Sequence, residues 1–345
     1  MKAIAYRESL PIEHPNALLD LELPEPSATG RDLLVRVQAV SVNPVDTKLR
    51  RNSAPATDQA KVLGWDAAGV VEAVGDQVTL FKPGDRVFYA GDITRPGSNA
   101  ELHLVDERIV GFMPATLGFA AAAALPLTSI TAWELLFERL GVTPDTEGAL
   151  LIVGAAGGVG SILTQLARQL TRLTVIGTAS RPSTQAWVRG RGAHHVIDHS
   201  LPLSEELKRI GIPAVTHVAS LTQTEAHYEQ LIAALAPQGK LGLIDDPTGP
   251  LDMRPLKLKS LSLHWELMFT RSMFETADMA QQGVLLNRVA QLIDAGQLRT
   301  TLGENFGAIN ASNLKRAHAL IESGRAQGKL VLEGFYASVK QRFGR

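Results

Sequence analysis

A cluster of glycines after a short apolar run is the first candidate for chemistry. Gly154, Gly157 and Gly160 follow Ala149–Val153 with the spacing G-x-x-G-x-x-G and precede a helical pattern at residues 159–170. Such glycines allow a tight turn, let a pyrophosphate approach backbone N–H groups, and let the helix pack close to the strand. We predict dinucleotide contacts from Gly154, Ala155, Gly157, Gly158, Val159 and Gly160, a plain strand-to-helix turn being the alternative.

The end of the next predicted strand bears on which dinucleotide binds. An NAD-binding chain usually places Asp or Glu about 20 residues after the glycines, to hold the ribose 2′-hydroxyl. Here that place holds Thr178, Ser180 and Arg181 without an acid. A hydroxyl and a guanidinium suit a 2′-phosphate, so NADP(H) is favoured over NAD, with a solvated loop arginine as the alternative. Ser180 and Lys329 are expected to share the phosphate contact with Arg181.

Composition excludes several other classes of protein. The 345 residues contain 34 Lys and Arg against 35 Asp and Glu, which gives nucleic acid no basic surface to bind. There is no cysteine, so disulfides, thiolate metal sites and cysteine nucleophiles are excluded. The apolar stretches at residues 117–127 and 149–153 are too short to span a bilayer, and the N-terminus does not resemble a signal peptide. We expect a cytoplasmic protein without a membrane partner.

Hydrophobic patterning divides the chain into a region of short strands and a region in which strands and helices alternate. Residues 33–40 place Val35, Val37 and Ala39 on one face of a half-buried strand, and further strands are predicted at 69–75 and 82–88. Helices are predicted at 120–124 and 130–140. Five strands then alternate with four helices: the strands are at 149–153, 173–177, 195–198, 214–219 and 240–244, and the helices are at 159–170, 183–191, 205–210 and 225–235. The remaining residues hold a long helix at 283–295, a further segment at 313–322 and a strand at 328–332. Alternation of this kind predicts a parallel α/β sheet behind a mostly β unit.

Several motifs resemble the medium-chain dehydrogenase/reductase superfamily, and within it the zinc-free quinone oxidoreductases, the zeta-crystallin-like group. They are VNPVDT at 42–47, LGWDAAGVV at 63–71, PGDRV at 83–87, LPLTSITAW at 125–133, the glycine turn, and RAH and ESGRAQGK within 316–329. The resemblance covers nearly the whole chain. It implies an α/β fold with a GroES-like β-barrel-type domain at 1–122 and 272–345, and an NADP-binding Rossmann domain, a doubly wound parallel sheet, at 123–271.

The same resemblance implies the activity. Zinc alcohol dehydrogenases of this superfamily place a cysteine near Asp46 and a histidine near Trp65 and Asp66, and none is present here. The resemblance therefore implies that no metal takes part. It also implies transfer of hydride from NADPH to a quinone or an α,β-unsaturated carbonyl. Asn43 and Asp46 match polar positions near the nicotinamide ribose, and Thr128 matches one facing the ring. Asn43 as a turn residue and Asp46 as a helix cap are the alternatives, and Lys48 stands where relatives often carry tyrosine.

Other features leave alternatives open. Ser220 ends a predicted strand, where open α/β sheets bind ligands. We expect a homodimer formed through the edge of the parallel sheet, at strand 240–244 and the aromatic-rich residues 264–269 that follow it. A pocket lining and simple core packing are the alternatives for residues 264–269. His194, His195 and His199 are too weak a set to predict a metal, and Tyr336 with Lys340 echoes the short-chain dehydrogenase Y-x-x-x-K by coincidence. The alternative activities are an enoyl or alkenal reductase with a different small substrate, and a non-catalytic crystallin-like or RNA-binding protein that keeps the fold.

Overall fold

The structure is a computed structural model that describes residues 1–335, so Tyr336 and Lys340 lie outside the described residues. The strands are β1 Lys2–Tyr6, β2 Leu19–Glu22, β3 Asp32–Val42, β4 Lys61–Val62, β5 Ala67–Val74, β6 Arg86–Tyr89, β7 Leu102–Asp106, β8 Val110–Phe112, β9 Ala149–Val153, β10 Thr174–Thr178, β11 His195–Ile197, β12 Val215–Ser220, β13 Leu235–Leu243, β14 Ser262–Trp265, β15 Leu302–Asn305 and β16 Lys329–Glu333. The helices are α1 Pro44–Asn52, α2 Phe119–Ala123, α3 Pro126–Trp133, α4 Gly158–Leu170, α5 Pro182–Gly190, α6 Leu203–Arg209, α7 Thr224–Ala234, α8 Thr270–Met273, α9 Gln281–Asp294 and α10 Ala311–Glu322.

The chain forms two compact units. Within the described residues, the first comprises 1–126, 275–287 and 302–335, and the second comprises 127–274 and 288–301. The division expected from the sequence placed all of 272–345 with the first unit. Residues 288–301 instead pack with the second, where Gln165 of α4 accepts a hydrogen bond from the Arg299 backbone N–H at 2.8 Å and donates one to the Arg299 carbonyl at 3.2 Å.

The first unit is built on a seven-stranded sheet. Its order is β15-β16-β3-β5-β6-β8, with β7 paired to β3, and a three-stranded sheet β2-β1-β4 accompanies it. The predicted alternation along β3 is confirmed, because Val35, Val37 and Ala39 are buried while Arg36 is exposed. Strand β16 arrives from the far end of the chain and pairs antiparallel with β3, which places Leu330 opposite Val42.

The second unit is a six-stranded sheet in which every recorded pairing is parallel. Its order is β11-β10-β9-β12-β13-β14, that of a doubly wound Rossmann fold, so the predicted fold class is confirmed. All five residues of β9 are buried, as expected for a central strand covered on both faces. Strand β13 begins at Leu235, earlier than the predicted residue 240.

The helical run before this sheet differs from its prediction. Helix α3 begins at Pro126 rather than residue 130, since proline is tolerated in a first helical turn, where its missing N–H is not needed. It continues into a π-helical segment, Glu134–Arg139. The whole run Phe119–Arg139 is long and apolar enough to cross a membrane by length and composition, but 78% of its apolar window is buried inside the protein. That burial is typical of a core helix.

Candidate functional site

The glycine turn joins β9 to α4. Gly154 has φ +81°, a left-handed conformation that favours glycine, and the Gly157 N–H donates to the Gly154 carbonyl at 3.1 Å. Gly158, Val159 and Gly160 form the first turn of α4, where backbone N–H groups have no carbonyl partner within the helix. Of the predicted residues, Gly158, Val159 and Gly160 therefore lie together at the positive end of a 13-residue helix, whereas the N–H groups of Gly154 and Gly157 already donate to Thr178 and to the Gly154 carbonyl.

Two glycines permit the close packing around this turn. A Cβ on Gly160 would lie 2.4 Å from the Gly154 carbonyl oxygen and 2.5 Å from the Ala155 Cα. A Cβ on Gly177 in β10 would meet Val188 and the Ala155 Cβ at 2.5 and 2.9 Å. Ala155 is itself completely buried, so its side chain packs beneath the turn. By contrast, a Cβ on Gly157 would approach only the Gly154 oxygen, at 3.4 Å, which leaves open space outside the turn.

Three predicted residues lie at or just after the end of β10, and of these Thr178 is buried whereas Ser180 and Arg181 are exposed. Thr178 is 1% exposed and its hydroxyl accepts a hydrogen bond from the Gly154 N–H at 3.2 Å. Its observed role is thus to hold the glycine turn, rather than to present a hydroxyl to a ligand. Ser180 and Arg181 are exposed, and Arg181 occupies the N-cap position of α5. Both side chains are therefore accessible, as a contact with a 2′-phosphate would require.

Ser220 is buried in a local network at the end of β12. It lies opposite Val153, the last residue of β9, so it is close to the glycine turn. Its hydroxyl is 2.7 Å from the Thr224 hydroxyl, and the Thr224 backbone N–H donates to Asp245 at 2.9 Å. Through Thr224, Ser220 links the end of β12 to Asp245, which follows β13. Because Ser220 is completely buried, its hydroxyl is not presented at the surface. Thr224 was not singled out from the sequence.

A second constellation, in the first unit, joins Asn43, Asp46, Asp66 and Lys329. The four side chains are at most 3% exposed. Asn43 precedes α1, and its backbone N–H donates to Asp46 Oδ2 at 2.7 Å. Its side-chain Nδ2 donates to Asp66 Oδ2 at 2.9 Å, while its Oδ1 accepts from Lys329 Nζ. We name this set the buried Asp–Lys cluster.

Lys329 is fully engaged inside this cluster. Its Nζ donates to the Val42 carbonyl at 3.0 Å, to Asn43 Oδ1 and to Asp66 Oδ2 at 2.9 Å. An ammonium has three N–H donors, and these contacts use all of them. The expectation that Lys329 shares a phosphate contact with Ser180 and Arg181 is therefore wrong for this structure, because no donor is left for a phosphate.

Asp46 carries the most perturbed carboxyl group of the cluster. It is the third residue of α1, so the expected cap is present: its Oδ2 accepts from the Asn43 backbone N–H. Burial raises the pKa of Asp46 to about 7, and Asp66 adds to this rise. The Asn43 N–H, the Lys329 ammonium and the Gly64 backbone lower the pKa, but by less than burial raises it. Asp46 is thus poised to exchange a proton near neutral pH.

The predicted residues therefore fall into two groups. Asn43, Asp46 and Lys329 meet in the first unit. Asp66 joins them, although the sequence analysis gave it no role in the site. The glycine turn, Thr178 and Ser220 meet at adjoining strand ends in the second unit. Thr128 also belongs to the second unit, on α3, and is 2% exposed.

The aromatic-rich segment has a mixed environment. Met268 and Phe269 are buried in the core, whereas Trp265, the last residue of β14, is 52% exposed. Trp265 lines a groove of about 420 Å³ together with Asp246, Pro247, Leu251, Met253 and Leu263. Strand β14 is the outermost strand of the sheet among the described residues. The segment therefore contributes both to the core and to the sheet edge.

The histidines flanking β11 are held by local contacts. His194 Nδ1 accepts from the Val175 N–H at 2.9 Å, and its other ring nitrogen contacts Arg168. The His199 ring packs edge-on against His227 with centroids 6.2 Å apart. Within residues 1–335, no group of three or more His, Cys, Asp or Glu side chains is arranged to hold a metal ion.

The fold and the glycine turn define a dinucleotide-binding protein of the two-domain dehydrogenase type. Residues 29–129 match the model of the alcohol dehydrogenase GroES-like domain, and residues 191–332 match that of the zinc-binding dehydrogenase domain. A zinc-type alcohol dehydrogenase-like protein of Staphylococcus aureus (strain MSSA476) is 39% identical over 96% of this chain and 99% of the relative. The chain belongs to the medium-chain dehydrogenase/reductase superfamily.

Three further similarities bear on function. A Rhizobium etli CFN 42 protein, described provisionally as a zinc-dependent alcohol dehydrogenase, has 58% identity and a TM-score of 0.93 over 98% of this chain and 99% of its own. A Pseudomonas aeruginosa quinone oxidoreductase is 32% identical over 89% of this chain and 93% of the relative. Escherichia coli quinone oxidoreductase, crystallised with NADPH, has 26% identity and a TM-score of 0.82 over 96% of this chain and all of its own.

Proposed function

We propose that this protein is an NADPH-dependent oxidoreductase that reduces a quinone or an α,β-unsaturated carbonyl compound. The observation that carries the proposal is the glycine turn, which opens at Gly157 and presents the N-terminal N–H groups of α4. The similarity to quinone oxidoreductases, one of them crystallised with NADPH, supports the same activity. The protein has the fold of the Escherichia coli enzyme that was crystallised with NADPH.

The chain's residues fit the dinucleotide. A side chain on Gly154 or Gly160 would collide with neighbouring atoms, at 2.8 Å with Thr222 and 2.4 Å with the Gly154 carbonyl. The turn is therefore kept narrow, and backbone N–H groups rather than side chains line its outer surface. Gly158, Val159 and Gly160 would hold the pyrophosphate, and Ser180 with Arg181 the 2′-phosphate. When bound, NADPH supplies a hydride to the acceptor.

Asn43, Asp46 and Thr128 keep their proposed positions near the nicotinamide on the resemblance alone. The amide of Asn43 is saturated by Lys329 and Asp66, so the proposed role for it is to order this region rather than to bond directly to a ligand. Asp46 Oδ1 has no hydrogen bond of normal geometry within residues 1–335, although the Gly64 backbone N–H is close enough to lower the pKa of this carboxyl group.

We also propose that zinc takes no part in the reaction. By the resemblance, zinc relatives carry a cysteine near Asp46 and a histidine near Trp65 and Asp66. In this chain the ammonium of Lys329 lies 2.9 Å from Asp66. A cation already neutralises this site, and an ammonium beside it would repel Zn²⁺. Conjugated acceptors are electrophilic enough to take hydride without a Lewis acid, which is consistent with this proposal.

The remaining proposals concern assembly and setting. Strand 240–244, expected at the sheet edge, belongs to β13, which pairs with both β12 and β14, so the outer strand is β14. We infer a cytoplasmic homodimer formed through β14, and a small-molecule substrate without nucleic-acid or membrane partners. An RNA-binding role is disfavoured by the nearly balanced charge, 34 basic against 35 acidic residues. A non-catalytic, crystallin-like protein that keeps the fold is the remaining alternative, and turnover separates it from the enzyme.

The test is a cofactor-dependent assay on the full chain. Purified protein, treated with a chelator, is mixed with NADPH and a panel of simple quinones and enals, and loss of NADPH absorbance is followed. We expect turnover with at least one conjugated acceptor and none with simple alcohols and NADP⁺. Tight NADPH binding without turnover on any acceptor would favour the non-catalytic alternative, and activity that disappears with the chelator and returns with zinc would overturn the metal-free mechanism.

A further inference from the structure

One half of the parallel-sheet unit contains no acidic residue. Residues 148–197, which include β9, α4, β10, α5 and β11, contain five arginines and no Asp or Glu. The whole chain, by contrast, has 34 basic and 35 acidic residues. Positive charge is therefore concentrated in this half of the unit, and an uneven distribution of this kind attracts anions to the surface that carries it.

Two arginines flank the turn that ends α5, at residues 190–192. A Cβ on Gly192 would lie 3.0 Å from Arg168 Cγ, so the stem of Arg168 packs against the turn. From the segment after α9, the Arg299 guanidinium donates to the Gly190 carbonyl. The two guanidinium groups are thereby brought to the same turn from elements more than 100 residues apart in the chain.

Backbone carbonyls, rather than carboxylates, hold the arginines at this turn. Arg191 Nη1 donates to the Thr300 carbonyl at 3.0 Å, and its guanidinium lies 3.9 Å from the centre of the Trp187 ring. Burial, and then the nearby charge of Arg299, lower the pKa of Arg191. Within the described residues, Arg168, Arg191 and Arg299 form no ion pair with a carboxylate. Their positive charges are therefore uncompensated.

His194 faces an N–H donor at each of its two ring nitrogens. Its Nδ1 accepts from the Val175 backbone N–H at 2.9 Å, and its Nε2 contacts Nη1 of Arg168. A neutral imidazole accepts at only one nitrogen, because the other carries the proton. Since Nδ1 already accepts, the proton is on Nε2 and points toward a guanidinium N–H. An oxygen atom that accepts from both groups would satisfy them together.

The charged groups around His194 favour a negatively charged oxygen over a neutral one. Burial lowers the pKa of His194, and the nearby charges of Arg168 and His195 lower it further. All of its charged neighbours are therefore cations or potential cations. A charge-assisted hydrogen bond to an anionic oxygen is about twice as strong as one between neutral groups.

The uncompensated charge covers a small area. Arg172, just after α4, pairs with Asp145 and Glu147, at 3.5 and 3.7 Å, and Asp198 follows β11. A polyanion such as RNA binds through a long series of cations. A single phosphate group, which presents several acceptor oxygens and up to two negative charges, matches a cluster of this size better.

This cluster is at the opposite edge of the sheet from the glycine turn. The glycine turn follows the carboxyl end of β9, and Thr178 is the last residue of β10. Val175, by contrast, is the second residue of β10, and His195 is the first residue of β11. Because these strands are parallel, their amino ends lie at one edge and their carboxyl ends at the other. The two sites are therefore distinct.

We propose that Arg168 and the Nε2–H of His194 bind a phosphate-type oxyanion at this edge of the sheet. Arg191, Arg299 and His195 provide the surrounding positive potential. The ligand is inorganic phosphate or the phosphate group of a small ester, and one of its oxygens accepts from both Arg168 and His194. No covalent bond is made or broken, and the inference does not rest on the proposed function.

The test follows the imidazole signals of the full chain by NMR, without cofactor. The signal of His194 is the one lost in His194→Gln. Sodium phosphate should shift this signal and raise its titration midpoint, because a nearby anion favours the imidazolium form. Sodium chloride at the same ionic strength should have a much smaller effect. Phenyl phosphate is the second probe: binding tighter than that of inorganic phosphate identifies an ester as the ligand, and equal binding identifies free phosphate.

Three variants locate the site. Arg168→Gln should weaken phosphate binding about tenfold, the lower end of the range for a charge-assisted contact. Arg254→Gln, at an exposed arginine already paired with Asp252, is the matched control and should bind phosphate as the wild type does. Arg181→Ala should leave the phosphate-induced shift of His194 in place, because Arg181 belongs to the proposed 2′-phosphate contact at the other edge.

Three results would overturn the proposal. The first is a His194 signal that responds equally to phosphate and to chloride at matched ionic strength. The second is a phosphate response that Arg168→Gln leaves unchanged or that Arg181→Ala abolishes. The third is saturable binding of an RNA oligonucleotide without binding of phosphate or phenyl phosphate, which would indicate a surface for polyanions. None of these measurements involves NADPH, so the proposed function can fail while this proposal succeeds, and the reverse.

Discussion

Lys329 and Asp66 form a buried ion pair, with Nζ 2.9 Å from Oδ2, between residues 263 positions apart in the chain. The pair joins β16, from the end of the chain, to the segment before β5. It thereby closes the discontinuous first unit at the same point that fixes Asn43. Removing one member of a buried pair strongly destabilises the folded protein, because the other charge is then buried without a partner.

Lys329→Met should therefore destabilise the protein by about 3–5 kcal/mol, the range observed for breaking a buried pair. Methionine fills similar space but leaves Asp66 and Asn43 Oδ1 without their donor. Urea unfolding at pH 7 measures the loss. Adding Asp66→Asn to Lys329→Met should restore part of it, since the orphaned charge is then gone. Lys82→Met, at an exposed pair with Asp85, is the control and should have little effect. Equal effects of the two lysine changes would contradict this account.

Gly160→Ala should damage the glycine turn specifically. The new methyl group would lie 2.4 Å from a backbone carbonyl oxygen, so either the turn or α4 has to move. We expect at least a tenfold loss of NADPH affinity, measured by fluorescence titration, together with a lower unfolding temperature. Gly190→Ala is the matched control, because nothing lies within 4 Å of the added atom and φ is not positive there. That variant should bind NADPH as the wild type does.

The sequence predicted the elements well where local pattern and packing agree. Strand β9 was predicted residue for residue and α4 to within one residue, because a buried apolar strand, a glycine turn and an amphipathic helix are each specified locally. The environments of Lys329 and Ser220 were not predictable in this way. Lys329 reads as a surface cation and Ser220 as a strand-end hydroxyl, and both are buried by partners distant in sequence. Thr178 was predicted to contact the cofactor, whereas the structure shows its hydroxyl bonded to the Gly154 N–H, a contact that depends on the register of two strands.

Trp265→Asp should convert a homodimer into a monomer. Trp265 is 52% and Leu267 53% exposed at the outer strand β14, where an unpaired strand edge is available for pairing. A charge placed there would be buried on association. Light scattering across a wide concentration range gives the mass of each protein. Leu80→Asp, at a residue 55% exposed in the first unit, should leave the mass unchanged. A monomeric wild type at every concentration would remove the basis of the proposal.

Glu266→Gln should flatten the pH dependence of stability. Burial, with Glu134 nearby, raises the pKa of Glu266 to about 9, and Arg139 opposes this rise. A carboxyl group whose folded-state pKa is raised favours folding below its ordinary pKa, and that contribution is lost as pH rises through the folded-state value. The slope is at most about 1.4 kcal/mol per pH unit for one proton. Urea unfolding from pH 5 to 9 should show a smaller decline in the variant, whereas Glu205→Gln, at an exposed pair with Lys208, should decline like the wild type.

Arg181→Ala should weaken binding of NADPH while leaving NADH nearly unchanged. Arg181 is exposed at the N-cap position of α5, beside Ser180, where a 2′-phosphate can be met by a guanidinium. A charge-assisted contact is worth about 1.5–3 kcal/mol, or roughly ten- to hundredfold in affinity. Lys329 has no donor left for the phosphate, so it should not compensate for the loss of NADPH affinity. Ser180 is then the one other residue predicted to contact the 2′-phosphate.

Two comparisons make the Arg181 measurement decisive. Arg189→Ala removes an exposed arginine from the same helix and should affect neither cofactor. Raising the ionic strength should reduce the wild-type preference for NADPH, because an exposed charge pair is screened by salt. General destabilisation would weaken both cofactors together, so the difference between them is the quantity that matters. Equal losses for NADH and NADPH, or none for either, would show that Arg181 is a solvated residue of the β10–α5 connection.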